Sequence, residues 1–351
     1  MWSVLSHELD IYSSFIIHSS IEERCLPPLC YPSSTMTTNT ESVEYGLDTQ
    51  LEYTPERTQL RFKLNTGNAI PAVGCGTWHV KGDAATEQVK AALAAGYRHI
   101  DTAFAYGNEK EVGAGIKASG VERKDIWLTT KLDHRAHHRV EEALEESLQN
   151  LGVDYVDLYL MHWPCATDPV DTSKHLPDWD FVKTWEVMQR LPSTGKVKNI
   201  GICNVQLVNL DKLLSHPSCK VIPAVNQIEL HPNHPSTKLV NVCKSKGIHV
   251  TAYSVLGSEK SPLLSGKDET LNKLVEDKGK TAAQILLSWG LQRGTSVLPR
   301  STKPDRLRSN FDLNGWELTE DEMKQLSAVK GRFKACGDGF LPVRVFFDDD
   351  E

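Results

Sequence analysis

From Arg61 onward, short apolar runs alternate with amphipathic runs of helical period along the chain. Residues 61–64, the turn Asn65-Thr66-Gly67-Asn68 and residues 69–71 read as a β-hairpin, because Asn and Gly supply the turn chemistry. Eight strand candidates follow, at 73–76, 99–101, 126–131, 156–161, 199–203, 224–229, 249–254 and 296–299. Helical stretches fall between them. Two stand out: 139–151, where Val140, Ala143, Leu144, Leu148 and Leu151 recur on one helical face, and 281–292.

Eight strands alternating with helices over about 250 residues predict an α/β protein, and the count favours a closed (β/α)8 TIM barrel. The rival is a doubly wound sheet, which carries a glycine fingerprint after its first strand. Gly74-Cys75-Gly76-Thr77-Trp78 begins like one but has no third glycine and leads into no close helix. Residues 1–58 are rich in Ser, Thr and Glu without a long apolar period, and read as a disordered N-terminal extension. Met36 lies within it and is a second candidate start. The barrel is expected over 59–335, with 336–351 a C-terminal loop and tail ending in the acidic run Asp348–Glu351.

Composition narrows the class. The 351 residues carry a formal charge of -7, which argues against bulk attraction to nucleic acid or anionic membranes. No apolar run approaches the roughly 18 residues of a membrane span. The start lacks the basic and apolar regions of a secretory signal. Eight scattered cysteines with no CxxC read as free thiols in a reducing compartment, so a cytoplasmic protein is expected. No extended exposed apolar stripe is evident, and a monomer is expected.

In a barrel of this kind, chemistry sits at the C-terminal strand ends. Strand 99–101 ends in Asp101 with Tyr106 beyond it; Lys131 and His162 with Trp163 end the next two. These groups suit carbonyl reduction, which needs a hydride donor and a proton for the developing alkoxide. A free Tyr titrates near 10; a neighbouring ammonium such as Lys131 lowers that value, and Asp101 keeps the ammonium charged. A neutral His162 orients the carbonyl oxygen. Singly, each residue has a plain structural explanation as a cap, a solvated group or a packing ring; their convergence is what carries the reading.

The same residues lie in blocks that resemble the aldo-keto reductase family. These are Gly96-Tyr97-Arg98-His99-Ile100-Asp101-Thr102-Ala103-Phe104-Ala105-Tyr106-Gly107-Asn108-Glu109, Asp157-Leu158-Tyr159-Leu160-Met161-His162-Trp163-Pro164, Thr194-Gly195-Lys196-Val197 with Gly201-Ile202-Cys203-Asn204, Asn226-Gln227-Ile228-Glu229-Leu230-His231-Pro232, 251–258 and Leu298-Pro299-Arg300-Ser301. They occur in family order over roughly residues 61–330. The run 178–186 resembles the fungal glycerol dehydrogenase and glyceraldehyde (aldose) reductase branch. The resemblance implies NADPH/NADP+ as cofactor, an extra C-terminal helix and loop, and Tyr106 as general acid. It implies that Asn204 and Gln227, with Cys203 beside them, hold the nicotinamide carboxamide, that Tyr253 stacks on the ring, and that Ser254, Leu256 and Ser258 line the pyrophosphate loop. Trp78 and Trp163 would wall the substrate pocket.

Arg293, Arg300, Lys303, Arg306 and Arg308 cluster around the last strand of an otherwise acidic chain. A basic cluster beside a helix N-terminus suits phosphate. The resemblance implies Arg300, Ser301 and Arg306 at a 2′-phosphate and Asn310 near the adenine, while Arg293 and Arg308 read as solvated. Three positions depart from the family pattern: Cys203 replaces a usual Ser, Asp133 a usual aromatic, hinting at a more polar or open pocket, and Ser309 an acidic or amide residue. His134, His137 and His138, and His231 with His234, have no zinc-type Cys or carboxylate companions and read as loop packing and helix starts, so no metal is expected. The competing functional readings are a non-catalytic cofactor-binding regulatory subunit and a metal-dependent barrel hydrolase.

Overall fold

The computed structural model describes residues 59–258 and 260–347. The extension 1–58, Met36 within it, and the acidic run 348–351 lie outside the described residues.

The predicted hairpin forms β1 (Arg61–Lys63) and β2 (Ala69–Pro71), paired antiparallel with Phe62 opposite Ile70. Its turn is tied to the barrel: the Thr66 hydroxyl donates to Asn199 Oδ1 at 2.5 Å and the Asn68 amide to the same oxygen at 3.0 Å. The hairpin therefore caps one end of the barrel.

Eight parallel strands follow: β3 (Cys75–Gly76), β4 (His99–Asp101), β5 (Trp127–Leu132), β6 (Val156–Met161), β7 (Val197–Cys203), β8 (Val225–Glu229), β9 (His249–Tyr253) and β10 (Ser296–Val297). They pair in chain order from β3 to β10. The ring closes where β10 returns to β3. Val73 bridges Val297 in parallel, Gly74 N–H donates to Val297 O at 2.9 Å, and Gly76 N–H donates to Pro299 O at 3.0 Å. A Cβ on Gly74 would sit 2.6 Å from Leu298 Cδ2 and 2.7 Å from His99 Nδ1, so only glycine fits this seam. Gly74, just ahead of β3, is thus a packing device of barrel closure, whereas a Cβ on Gly76 would meet nothing nearer than 3.6 Å.

The helices are α1 (Asp83–Ala94), α2 (Glu109–Ser119), α3 (Val140–Leu151), α4 (Phe181–Met188), α5 (Leu207–Ser215), α6 (Thr237–Ser245), α7 (Glu269–Lys278), α8 (Ala282–Gln292), α9 (Pro304–Phe311) and α10 (Glu320–Ser327). Residues 139 and 281 prove to be caps. Thr281 accepts from Gln284 N–H while Gln284 reaches back, a reciprocal capping box. Residues His134–Arg139 form a 3-10 turn ahead of α3. The last strand stops at Val297 instead of 299, since Pro299 has no N–H to continue the ladder. Beyond α10 the chain crosses the barrel mouth, where Ala335 and Cys336 bond the end of β8.

The core is continuous, with Tyr97, Tyr159, Trp185 and Trp289 fully buried between sheet and helices. Among the largest fully buried side chains there is one charged group, Lys131. Burying an ammonium is unfavourable unless it is paired and hydrogen-bonded.

Candidate active site

Asp101 ends β4, and the chain then turns through a 3-10 segment, Phe104–Tyr106, closed by Gly107 at φ 62°. What fixes this turn is Asn108. Its buried amide donates to Thr77 O at 2.9 Å and Val80 O at 2.8 Å and accepts from the Thr102 hydroxyl at 2.9 Å. Thr77 in turn donates through N–H and hydroxyl to Asp101 O, each at 3.0 Å.

Lys131 reaches this turn from β5. Its Nζ donates to Asp101 Oδ1 at 2.6 Å, Thr102 O at 2.8 Å and Tyr106 Oη at 3.3 Å. Three acceptors satisfy three ammonium hydrogens. Burial opposes the charge on Lys131, but Asp101 and Tyr106 outweigh it, and its pKa rises. Burial also raises the Tyr106 pKa, and the Lys131 charge offsets only part of that rise. The expected lowering of the Tyr pKa is therefore not the net effect: low polarity around the phenol wins. The consequence is a phenol fully protonated at neutral pH, with an ammonium in place to stabilise the phenolate once the proton leaves.

His162 follows β6, its ring centroid 5.7 Å from that of Tyr106 in an edge-on arrangement. Burial and then the Lys131 charge push its pKa well below 6.5, so the ring is neutral. The four side chains thus meet at one mouth of the barrel.

A second group adjoins it across the barrel. The Gln227 amide donates to Asp101 Oδ2 at 2.7 Å, so the two oxygens of one carboxylate serve Lys131 and Gln227 separately. Asn204 donates to His162 O at 3.0 Å and accepts from the Tyr253 hydroxyl at 2.7 Å. Cys203 lies between the two amides, its Sγ 3.4 Å from Asn204 Nδ2 and 4.0 Å from Gln227 Oε1; burial raises its pKa and keeps it a thiol. Asn204, Ser254 and Ser258 hold φ of 62°, 48° and 63°, three of six such non-glycine residues among the described residues. Backbone strain of this kind gathers at ligand-holding loops.

Further round, Arg300, Lys303 and Arg306 are exposed, and among the described residues their side chains have no acidic partner. Arg308 pairs with Asp305. Arg293, expected to be solvated, donates to Pro235 O at 2.7 Å and lies over the Trp289 ring, so it is a structural link. The Ser301 hydroxyl accepts from Lys303 N–H at 3.1 Å ahead of α9, and Asn310 is buried on that helix. Ser309 is half-buried.

Of the two tryptophans, Trp163 is buried under the C-terminal segment, 5.1 Å from Phe340 and 5.7 Å from Phe346. Trp78 is 52 % exposed and meets the His79 ring. Asp133 does not open the pocket. It is buried, accepts from Arg135 N–H at 2.9 Å and takes the Arg135 guanidinium in a bidentate pair at 2.8 Å. Despite burial, which raises it, this pairing holds its pKa down at about 2. The histidines likewise serve packing: His137 bonds Thr184 Oγ1 at 3.0 Å and His231 bonds Glu229 Oε1 at 2.9 Å. No group of three His, Cys, Asp or Glu side chains suited to a metal occurs among the described residues.

Sequence comparison decides the family. The sequence profile of the Aldo/keto reductase family matches residues 72–330. The chain belongs to the aldo/keto reductase family. This aldo/keto reductase is 45 % identical over 304 residues to glycerol 2-dehydrogenase (NADP(+)) of Saccharomyces cerevisiae, covering 81 % of this chain and 96 % of that one. It is 44 % identical over 293 residues to D-galacturonate reductase of Hypocrea jecorina, covering 78 % and 93 %. Among solved structures, a Bombyx mori aldo-keto reductase in complex with NADP superposes with a TM-score of 0.71 at 37 % identity, over 76 % of this chain and 91 % of that one. As a member of this family the chain is an oxidoreductase. No helix among the described residues is long and apolar enough to cross a membrane.

Two residues order the segments around the site without belonging to it. Asn108 and Glu229 both stand inside the quoted motifs, but apart from Thr102 and His231 their partners lie far along the chain.

Proposed function

We propose that this aldo/keto reductase reduces an aldehyde or ketone to the alcohol with NADPH, Tyr106 giving the proton. The observation that carries this is the chain Asp101–Lys131–Tyr106, with Lys131 Nζ 2.6 Å from the carboxylate and 3.3 Å from the phenol.

The residues at the site fit the cofactor. Asn204 Oδ1 and Gln227 Oε1 each keep an acceptor lone pair for a carboxamide NH2, since a carbonyl oxygen accepts two hydrogen bonds. Half-buried Tyr253 offers a ring face, Ser254, Leu256 and Ser258 the strained loop for the pyrophosphate, and unpaired Arg300 and Arg306 the cations for a 2′-phosphate. Ser301 shapes the start of α9 beside them and Asn310 supports it from within. When bound, the cofactor supplies the hydride.

The protein's own residues do the rest. Neutral His162 donates to the substrate carbonyl oxygen and orients it towards Tyr106. As negative charge grows on that oxygen, Tyr106 transfers its phenolic proton to it, giving the alcohol. Lys131 stabilises the phenolate left behind, and solvent returns the proton. Asp101 keeps Lys131 charged and in place. Trp78 and Trp163 flank the entering substrate. The two named relatives act on polyhydroxylated compounds, which supports small hydroxylated aldehydes and ketones as substrates, with glyceraldehyde the first to try. We take the enzyme to be monomeric, and cytoplasmic in keeping with the free thiols among the described residues.

The test is NADPH consumption with a carbonyl panel beside NADH. Tyr106→Phe is expected to lose about 10²- to 10⁴-fold in turnover while still quenching on NADPH titration. Persistent turnover in that variant removes Tyr106 as the proton donor. Since all four members of the quartet are assembled, no observation favours the regulatory-subunit reading.

A further inference from the structure

Residues past α10 return over the barrel mouth, tied first by Asn233, whose amide donates to Lys330 O at 3.3 Å and Gly331 O at 2.8 Å, and next by one buried carboxylate. Glu229 ends β8, two residues beyond Gln227 and opposite Tyr253 in the parallel register. It is 2 % exposed. One oxygen accepts Ala335 N–H at 2.6 Å and His231 Nε2 at 2.9 Å; the other accepts Cys336 N–H at 2.7 Å. Burial pushes the Glu229 pKa up, and these donors more than reverse it, so the group is an anion.

What Glu229 holds leads directly to the site. The Cys336 thiol lies against the Tyr253 hydroxyl, which bonds Asn204. Downstream, the segment folds on itself: Asp338 accepts Val345 N–H at 2.8 Å and Phe346 N–H at 2.9 Å. Gln206 accepts Phe347 N–H at 2.8 Å. The folded loop gathers Leu341, Val345 and Phe346 with Trp163 in a small apolar cluster separate from the main core, and sets Phe340, itself exposed, edge-on to the Trp163 ring. The cluster is small, and the backbone donors held by Glu229 and Asp338 act with it in fixing the course of the loop.

We propose that Glu229 is a positioning residue for substrate selection: by holding the Ala335 and Cys336 amides it sets the place of Phe340 and Phe346 on Trp163, and hence the apolar wall that a bulky carbonyl meets. Asp338 is the second anchor, on the loop itself. This rests on the carbonyl-reductase reading. A small hydroxylated carbonyl sits by Tyr106, His162 and Trp163, short of Phe340 and Phe346; an aromatic aldehyde reaches them.

The experiment compares Glu229→Gln and Asp338→Asn with the unmodified protein, using glyceraldehyde and 4-nitrobenzaldehyde at saturating NADPH. Gln keeps one acceptor but turns an NH2 towards a backbone N–H. Losing a hydrogen bond to a charged acceptor is expected to raise KM for 4-nitrobenzaldehyde about ten-fold in Glu229→Gln, with kcat and the glyceraldehyde constants little changed. In parallel, trypsin should cut faster at Arg332, Lys334 and Arg344, which reports anchoring without reference to turnover. Asp338→Asn, at a more exposed site, should move both readouts the same way and guards against misfolding of the buried variant. An unchanged ratio between the two substrates, or equal loss on both with a parallel drop in melting temperature, overturns the proposal. If the unmodified protein reduces neither aldehyde, the carbonyl reading and the selection role fall together, whereas unchanged trypsin rates refute the anchoring alone.

Discussion

Lowering the pH should unfold this protein through two histidines that have no part in the chemistry. His99 and His137 are fully buried, and burial is the first cause holding both pKa values at about 3 against an ordinary 6.5. His99 Nε2 bonds Thr129 Oγ1 at 3.1 Å, while His137 Nε2 is buried without a partner. Above pH 6.5 both rings are neutral in folded and unfolded chains and neither opposes folding. Between 6.5 and 3 the unfolded chain takes up the protons and the folded one does not, so stability falls as pH falls. Each group costs about 1.4 kcal/mol per pH unit there. Two groups over the two units from 6.5 to 4.5 cost about 5 kcal/mol, a large share of the 5–15 kcal/mol a domain typically has. His162 and His249, also lowered by burial, add in the same direction, while Glu109, raised by burial, opposes it nearer pH 4.5. The assay is equilibrium urea unfolding at half-unit steps from pH 7.5 to 4.5. His137→Asn, which keeps a partner for Thr184, should reduce the slope of stability against pH by about 1.4 kcal/mol per unit. A wild-type stability flat between pH 6.5 and 5, or a variant with unchanged slope, refutes the reasoning.

Three further outcomes are expected. Lys131→Met leaves Asp101 buried with Gln227 as its remaining side-chain partner, and should lower stability by about 3–5 kcal/mol as well as abolish turnover; a thermal melt and rate assay on the same sample check both. Arg300→Ala with Arg306→Ala should raise KM for NADPH about ten-fold or more, leaving that for NADH unchanged, and equal effects on the two would remove these residues from the 2′-phosphate. With His162 lowered and Tyr106 and Lys131 raised, kcat for reduction should be level from about pH 6.5 to 9, and a break near 6.5 would show that His162 titrates normally.

The barrel and its quartet were legible because the signal is local. Strands 99–101 and 156–161 match β4 and β6 at both ends, and the reactive residues simply follow strand ends. The parts that were not legible depend on contacts between distant segments. Asn108 earns its place through the carbonyls of Thr77 and Val80, and Glu229 through amides more than a hundred positions away. A carboxylate at the C-terminal end of a strand was the one available sign of Glu229. For Asp133 a sign existed and pointed elsewhere: an Asp directly after a strand and before a helical run is a natural cap, and the structure uses it so. The direction of the Tyr106 shift needed burial, which no residue pattern carries.

The seam at Gly74 ties the order of synthesis to the order of folding. Its two sides are separated by more than two hundred residues, so every intermediate strand must be in place before the ring can shut. Until Val297 arrives, a growing chain presents two unpaired parallel edges, the kind that recruit other chains. A polypeptide stopped short of that valine is therefore no smaller version of this enzyme but an open sheet, and the last strand, only two residues long, is the clasp that keeps nascent copies apart.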